Sequence, residues 1–109
     1  IECLEKTDFK IPFLKQKEGS ISSNHIMPIL IPDEINREDL ISHLKNRKIQ
    51  SSIHYPAFWS FKAYQSKFDS KNFPVAKKVC EKELTLPLYP SMSFDQVELV
   101  TKALSEYKK

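Results

Sequence analysis

The chain has 109 residues, 40% of them hydrophobic and 28% charged, with a formal net charge of +3 at pH 7, values typical of a soluble protein with one globular domain. Its tight basic clusters (Lys45, Arg47 and Lys48; Lys108 and Lys109) lie where helices are expected to end, so nucleic-acid binding is not indicated. Two cysteines without a Cys-x-x-Cys or His-x-x-x-His pair exclude a disulfide framework and a metal site, and no apolar run approaches the roughly 18 residues of a membrane span.

The first half of the chain predicts a lead-in, a strand and a helix. Residues 1–22 show no regular period and are expected to lay a few side chains on the core. The apolar segment 25–31 predicts a strand covered on both faces, in which Pro28 favours an edge position. Asn36 is a good N-cap for a helix that ends by about Lys48. Its expected core-facing residues are Leu40, Ile41 and Leu44, with Arg37, Lys45 and Arg47 facing water.

The segment 49–55 is predicted to be a short strand that ends at Pro56, because proline has no N–H to offer a neighbouring strand. One side of it is mostly apolar, and the other carries Gln50, Ser52 and His54. A titratable side chain where a strand gives way to a loop is a common place for a functional residue. An ordinary solvated histidine fits the same pattern, so from the residues alone both interpretations of His54 stay open.

The second half predicts an aromatic-rich connection, a helix, a strand and a last helix. The aromatic residues of the connection, which either cover one end of the core or stack on a ligand, are Phe58, Trp59, Phe61, Tyr64 and Phe68. A helix begins at Phe73-Pro74, since proline is tolerated in a first turn. Its expected buried stripe is Val75, Ala76, Val79 and Cys80. Residues 84–88 predict a strand, and Ser93 with Gln96 predicts a capping box for the last helix.

The resulting order, β-α-β-α-β-α, predicts an α/β fold with a small sheet covered by helices. The sequence contains one glycine, Gly19, whereas a phosphate-cradling loop needs several. A phosphorylated ligand must therefore be held by another part of the molecule.

Two blocks of the sequence carry a resemblance to a known family. The first, 22–56, contains Ser-Ser-Asn-His before a strand, Leu-Lys-Asn-Arg at a helix end, and Ser-Ser-Ile-His-Tyr-Pro. The second, 73–93, contains Phe-Pro-Val-Ala, Glu-Leu-Thr-Leu-Pro-Leu-Tyr-Pro and a serine-capped helix. In this order and at this spacing they resemble the C-terminal part of the sugar aminotransferases of the DegT/DnrJ/EryC1/StrS family, over roughly Ser22 to Leu104.

The resemblance implies the small domain of the fold-type I, pyridoxal-phosphate-dependent transferases. Residues 1–22 are then a lead-in from a missing N-terminal cofactor domain, and 23–109 are the C-terminal small α/β domain. Such enzymes move an amino group, usually from glutamate, to a keto group of a nucleotide-linked sugar, and the resemblance points to cell-surface polysaccharide biosynthesis. The cofactor domain, the nucleotide sugar, the amino-acid donor and a second copy in a homodimer are the implied partners, in a cytoplasmic setting with no nucleic acid or membrane.

The chain departs from the family because the lysine-bearing motif of the cofactor domain has no counterpart in it. No residue is therefore assigned a catalytic, cofactor-binding or metal-binding role. The isolated chain is expected to be inactive and to bind no pyridoxal phosphate stably. The alternative is a stand-alone α/β module that binds a ligand or a protein through its aromatic-rich loop.

The resemblance assigns substrate binding to the strand end, which lines the active-site cleft in the family. We expect His54 to contact the substrate, with Tyr55 and Ser52 as further candidates. His25 matches a family position but fits a structural role equally well, and His43 is assigned no role. Lys48 stands where the family often has glycine, and a positive φ there costs on the order of 1 kcal/mol.

Overall fold

The computed structural model describes residues 2–5, 7–13 and 17–107, so the basic pair Lys108 and Lys109 lies outside the described residues. Within these ranges the strands are β1 (Met27–Leu30) and β2 (Glu83–Leu86), and the helices are α1 (Arg37–Asn46), α2 (Pro74–Lys82) and α3 (Phe94–Glu106). Two short 3-10 helices, Phe58–Ser60 and Ser70–Asn72, interrupt the connection between α1 and α2. The predicted class, a small sheet with helices, is confirmed.

The sheet is built around β2. It pairs antiparallel with β1, with Met27 opposite Leu86. On the other side of β2, Thr85 forms an antiparallel bridge with Ser52. Leu30, the last residue of β1, forms an antiparallel bridge with Lys10. The segment around Ser52 therefore lies across β2 from β1.

The predicted strand over 49–55 is wrong in its extent, because only Ser52 pairs in the manner of a strand. Lys48 has a φ of 60°, which bends the chain directly before this segment. At the far end the N–H of His54 donates to the side chain of Glu83, at 2.9 Å, instead of to a neighbouring strand. These two features confine the ladder to a single bridge.

The helix caps form as the sequence indicates. Asn36 accepts hydrogen bonds from the backbone N–H groups of Glu38 and Asp39. Ser93 and Gln96 form the predicted capping box at the start of α3. Each cap stabilises its helix by about 1 kcal/mol relative to alanine.

The core lies between the sheet, α1 and α3. Its fully buried large side chains are Ile29, Leu40, Leu44, Leu84 and Leu104. Leu4 and Phe9 of the lead-in are also buried in this core. Ile41 packs against its margin, as the helical periodicity predicts.

Two predictions about side-chain burial are wrong. The expected stripe of α2 is not buried in the core: Val75 is 76% exposed, Val79 is 41% exposed, and Cys80 is half-buried. Arg37, expected to face water, is half-buried and donates to the carbonyl oxygens of Cys80 and Glu83. No described helix is both long and apolar enough for a membrane crossing.

Candidate functional site

A cleft of about 530 Å³ lies along β2 where it meets the Ser52 segment and α3. The sequence elements that form it are far apart in the chain, and the cleft exists because the Ser52–Thr85 bridge brings them together. Ser52 and Thr85 exchange both backbone hydrogen bonds, at 3.1 and 2.8 Å. The lining includes Lys48, Ser52, His54, Thr85, Tyr89 and Gln96.

Of the three residues expected to bind substrate, the structure brings two into this lining. His54 is half-buried and Ser52 is exposed, and both line the cleft. Tyr55 does not line it and is 70% exposed, although its ring contacts that of His54 edge-to-face at 4.9 Å between centroids. The peptide bond between these two residues is cis.

His54 is held by two residues of β2. Its ring Nδ1 lies 3.0 Å from the Thr85 hydroxyl, and its backbone N–H donates to Glu83 Oε2 at 2.9 Å. The position of the imidazole is therefore fixed by both its ring and its backbone. Its other ring nitrogen, Nε2, has no hydrogen-bond partner among the described residues.

Glu83 is a buried carboxylate, only 4% exposed, at the first position of β2. Burying a carboxylate is costly unless hydrogen bonds replace its hydration. Both of its oxygens accept such bonds, one from the His54 N–H and the other from the Thr85 hydroxyl. Glu83, Thr85 and His54 thus form one continuous hydrogen-bonded group.

Sequence reasoning missed Glu83 and Thr85 as members of the site. The predicted strand began at residue 84, which left Glu83 outside it, whereas the observed strand begins with Glu83. A strand starting there places Glu83 and Thr85 on one face and Leu84 on the other, because side chains alternate. An acidic residue two positions before a threonine in a buried strand is the signal that could have identified them.

The remaining histidines lie in different surroundings. His25 lines the same cleft and is exposed. His43, to which the sequence assigned nothing, joins α1 to α3: its Nε2 lies 2.8 Å from the carbonyl oxygen of Ala103 and its Nδ1 lies 3.1 Å from Arg47 Nη1. His43 is therefore a packing residue.

Comparison with known proteins gives a consistent result. The family model described as the DegT/DnrJ/EryC1/StrS aminotransferase family matches residues 2–105. The chain is 34% identical over 91 residues to the UDP-4-amino-4-deoxy-L-arabinose–oxoglutarate aminotransferase of Shewanella sediminis. The match covers 75% of this chain and 24% of that protein. It is 26% identical over 98 residues to the dTDP-3-amino-3,6-dideoxy-alpha-D-galactopyranose transaminase of Aneurinibacillus thermoaerophilus, covering 90% of this chain and 27% of that protein.

Solved structures show the same fold. A proposed sugar aminotransferase of Streptococcus pneumoniae, solved in PMP and PLP forms, superposes with a TM-score of 0.83 at 25% identity, over 95% of this chain and 27% of that one. An aminotransferase of Helicobacter pylori involved in pseudoaminic acid biosynthesis superposes with a TM-score of 0.79 at 23% identity. The superposition covers 94% of this chain and 28% of that one. The chain spans about a quarter of the length of the relatives it matches.

Proposed function

The chain belongs to the DegT/DnrJ/EryC1/StrS aminotransferase family, and from this we propose that it is the C-terminal small domain of an enzyme that transfers an amino group to a keto group of a nucleotide-linked sugar. The names of the relatives support the substrate class, because one names a UDP-linked and another a dTDP-linked amino sugar. The name of the first also includes oxoglutarate, the keto acid left when glutamate gives up its amino group, which supports glutamate as the donor.

We propose that pyridoxal phosphate is held by an N-terminal cofactor domain and not by this chain. When bound, the cofactor supplies the electron sink for amino transfer. The described residues do not fit it on their own. The lysine in the cleft lining, Lys48, is exposed, whereas a Schiff-base lysine is activated by desolvation or a neighbouring cation. Gly19, which has open space around it, is not in that lining.

The exposed apolar side chains of the chain also support the proposal that a separate domain holds the cofactor. Val75 and Val79 of α2 are exposed, and so are aromatic residues of the preceding connection, Phe58, Phe61, Tyr64, Phe68 and Phe73. Phe58 contacts Tyr64 and Phe68, and contiguous exposed apolar side chains of this kind mark a surface that binds another protein surface. We assign this face to the cofactor domain, because the chain spans only about a quarter of its relatives.

The observation that carries the site assignment is the position of His54. Its imidazole lines the cleft, is held on Thr85, and leaves Nε2 unbonded among the described residues. This arrangement fits a side chain that positions the substrate and breaks no bond. Ser52, which also lines the cleft, supplies a further hydroxyl group, whereas Tyr55 lies outside the lining.

The test is the kinetics and melting temperature of His54→Ala in the full-length enzyme. One hydrogen bond contributes about 0.5–1.5 kcal/mol, or about 1.5–3 kcal/mol when a charge is involved. Turnover of the sugar substrate should therefore fall by roughly ten- to a hundredfold. The melting temperature should change little, because Thr85 still donates to Glu83.

His43→Ala is the matched control, since it removes the same side chain from a packing position between α1 and α3. It should lower the melting temperature and leave the kinetics of the folded enzyme intact. Full activity of His54→Ala together with a sharply lowered melting temperature would make His54 structural and would refute the substrate assignment.

A further inference from the structure

We propose that Glu83 and Thr85 are positioning residues that fix His54 in the Nδ1–H tautomer, so that its Nε2 presents a lone pair to the cleft and accepts a hydrogen bond from a hydroxyl or N–H group of the substrate. This inference rests on the proposed function for the identity of the ligand. The tautomer itself follows from the hydrogen bonds of the chain.

The hydrogen bond between Thr85 and Glu83 has a defined direction. In its ionised form Glu83 can only accept hydrogen bonds, so the Thr85 hydroxyl then donates its single proton to Glu83 Oε1. The other carboxylate oxygen accepts the backbone N–H of His54 at 2.9 Å. Glu83 is 4% exposed, so water does not compete strongly for these oxygens.

Thr85 Oγ1 also lies 3.0 Å from His54 Nδ1. Because the only hydroxyl proton of Thr85 is engaged by Glu83, Thr85 Oγ1 can act toward His54 only as an acceptor. His54 Nδ1 must therefore carry the proton that it donates. In a neutral imidazole the other nitrogen is then unprotonated, so His54 Nε2 is an acceptor.

His54 Nε2, as an acceptor, selects among ligand groups by whether they donate or accept a hydrogen bond. A neutral His54 held in this way favours a ligand group that donates, such as a sugar hydroxyl. It disfavours a carboxylate or phosphate oxygen at that position, since two acceptors facing each other leave both without a proton to share. The cleft therefore discriminates by the direction of a hydrogen bond as well as by shape.

His43 provides the opposite arrangement in the same chain. Its Nε2 lies 2.8 Å from the Ala103 carbonyl oxygen, which can only accept, and its Nδ1 faces Arg47 Nη1, which can only donate. Neutral His43 is therefore held in the Nε2–H tautomer. A single spectrum of this chain should contain both tautomers.

The test is a long-range ¹H–¹⁵N NMR spectrum of the 109-residue chain labelled with ¹⁵N-histidine, at about pH 8.5, where a free histidine is neutral. Signals are assigned by their loss in His54→Gln and His43→Gln. We expect the unprotonated nitrogen to be Nε2 in His54 and Nδ1 in His43. An unprotonated Nδ1 in His54 would overturn the proposal.

The variants Thr85→Val and Glu83→Gln test what fixes the tautomer. Valine removes the acceptor for Nδ1–H, and glutamine offers an amide that can donate to Thr85, so both should shift His54 to a mixture of tautomers. Thr101→Val is the matched control, because among the described residues the Thr101 hydroxyl bonds only to carbonyl oxygens of α3. A pure Nδ1–H signal in Thr85→Val would refute the positioning role. These spectra need no substrate, so their failure leaves the kinetic test of His54 standing, and a failed kinetic test leaves the tautomer standing.

Discussion

The Nη1 atom of Arg37 lies 2.6 Å from the carbonyl oxygen of Cys80 and ties the first turn of α1 to the last turn of α2. The last carbonyl groups of a helix have no partners within it, and a cation there is favourable. At its own position in the first turn of α1 the same cation is unfavourable. The contact with α2 offsets this cost and explains why Arg37 is drawn out of solvent.

Replacing Arg37 with alanine should lower the free energy of unfolding by about 1.5–3 kcal/mol, because a charged donor to two part-buried carbonyl groups is lost. Urea denaturation of the two proteins measures this difference. Lys45→Ala, which removes an exposed cation from the same helix, is the control and should change stability by less than about 0.5 kcal/mol. Equal effects of the two substitutions would show that the Arg37 contacts contribute nothing.

Lys48→Gly should stabilise the chain. Lys48 has a φ of 60°, a conformation that costs a side-chain-bearing residue about 1 kcal/mol relative to glycine. We expect a gain of about 0.5–1 kcal/mol in denaturant melts, somewhat reduced by the greater freedom of glycine in the unfolded chain.

The informative control is Lys102→Gly, the same exchange at an exposed position inside α3. It should destabilise by about 1 kcal/mol, since glycine is a poor helix former. Two substitutions of the same type with opposite signs would isolate the effect of the backbone angle. A loss of stability in Lys48→Gly would contradict the strain at this position.

Asp33 should give the chain an acid-sensitive contribution to stability. The Lys78 ammonium, hydrogen-bonded to it at 3.0 Å, lowers the pKa of the Asp33 carboxyl below its ordinary value. A carboxyl with a depressed folded pKa stabilises the fold above its unfolded pKa, about 3.9. That stabilisation is lost as the pH falls through the folded pKa.

The measurement is the difference in melting temperature between the wild type and Asp33→Asn as a function of pH. We expect a small positive difference above about pH 4 that disappears in stronger acid. Added salt should reduce it, because the pair is exposed. Lys78→Gln should remove most of the same pH dependence, and a difference that persists unchanged in that background would assign it to another group.

The features predicted correctly from the sequence are those fixed by neighbouring residues. Asn36 and the Ser93–Gln96 pair determine where α1 and α3 begin, because a cap needs only the backbone of the next few residues. The apolar runs locate β1 and β2 for a similar reason. The face of α2 could not be predicted, since an amphipathic helix has the same pattern whether its partner lies within the chain or on another domain.

The site was predicted only in part for a related reason. The position of His54 at the end of a polar face was readable, and the structure places it in the cleft lining. Its partners, Glu83 and Thr85, lie about 30 residues further along the chain, and no local pattern connects them to it. The predicted strand began at residue 84 and left Glu83 out, whereas the fold buries Glu83 at the start of β2.

The pairing of β1 with β2 sets the order in which this unit can be made. Between Leu30 and Glu83 the chain forms α1, the Ser52 segment and α2 before it returns to the sheet. A ribosome must therefore complete Leu86 before Met27 has a partner, and α3, which brings Leu104 to the core, comes later still. Pairing across such a distance is slow, and an apolar strand that waits for it is open to other chains. During synthesis β1 therefore stays open to other chains and to chaperones until β2 has been made.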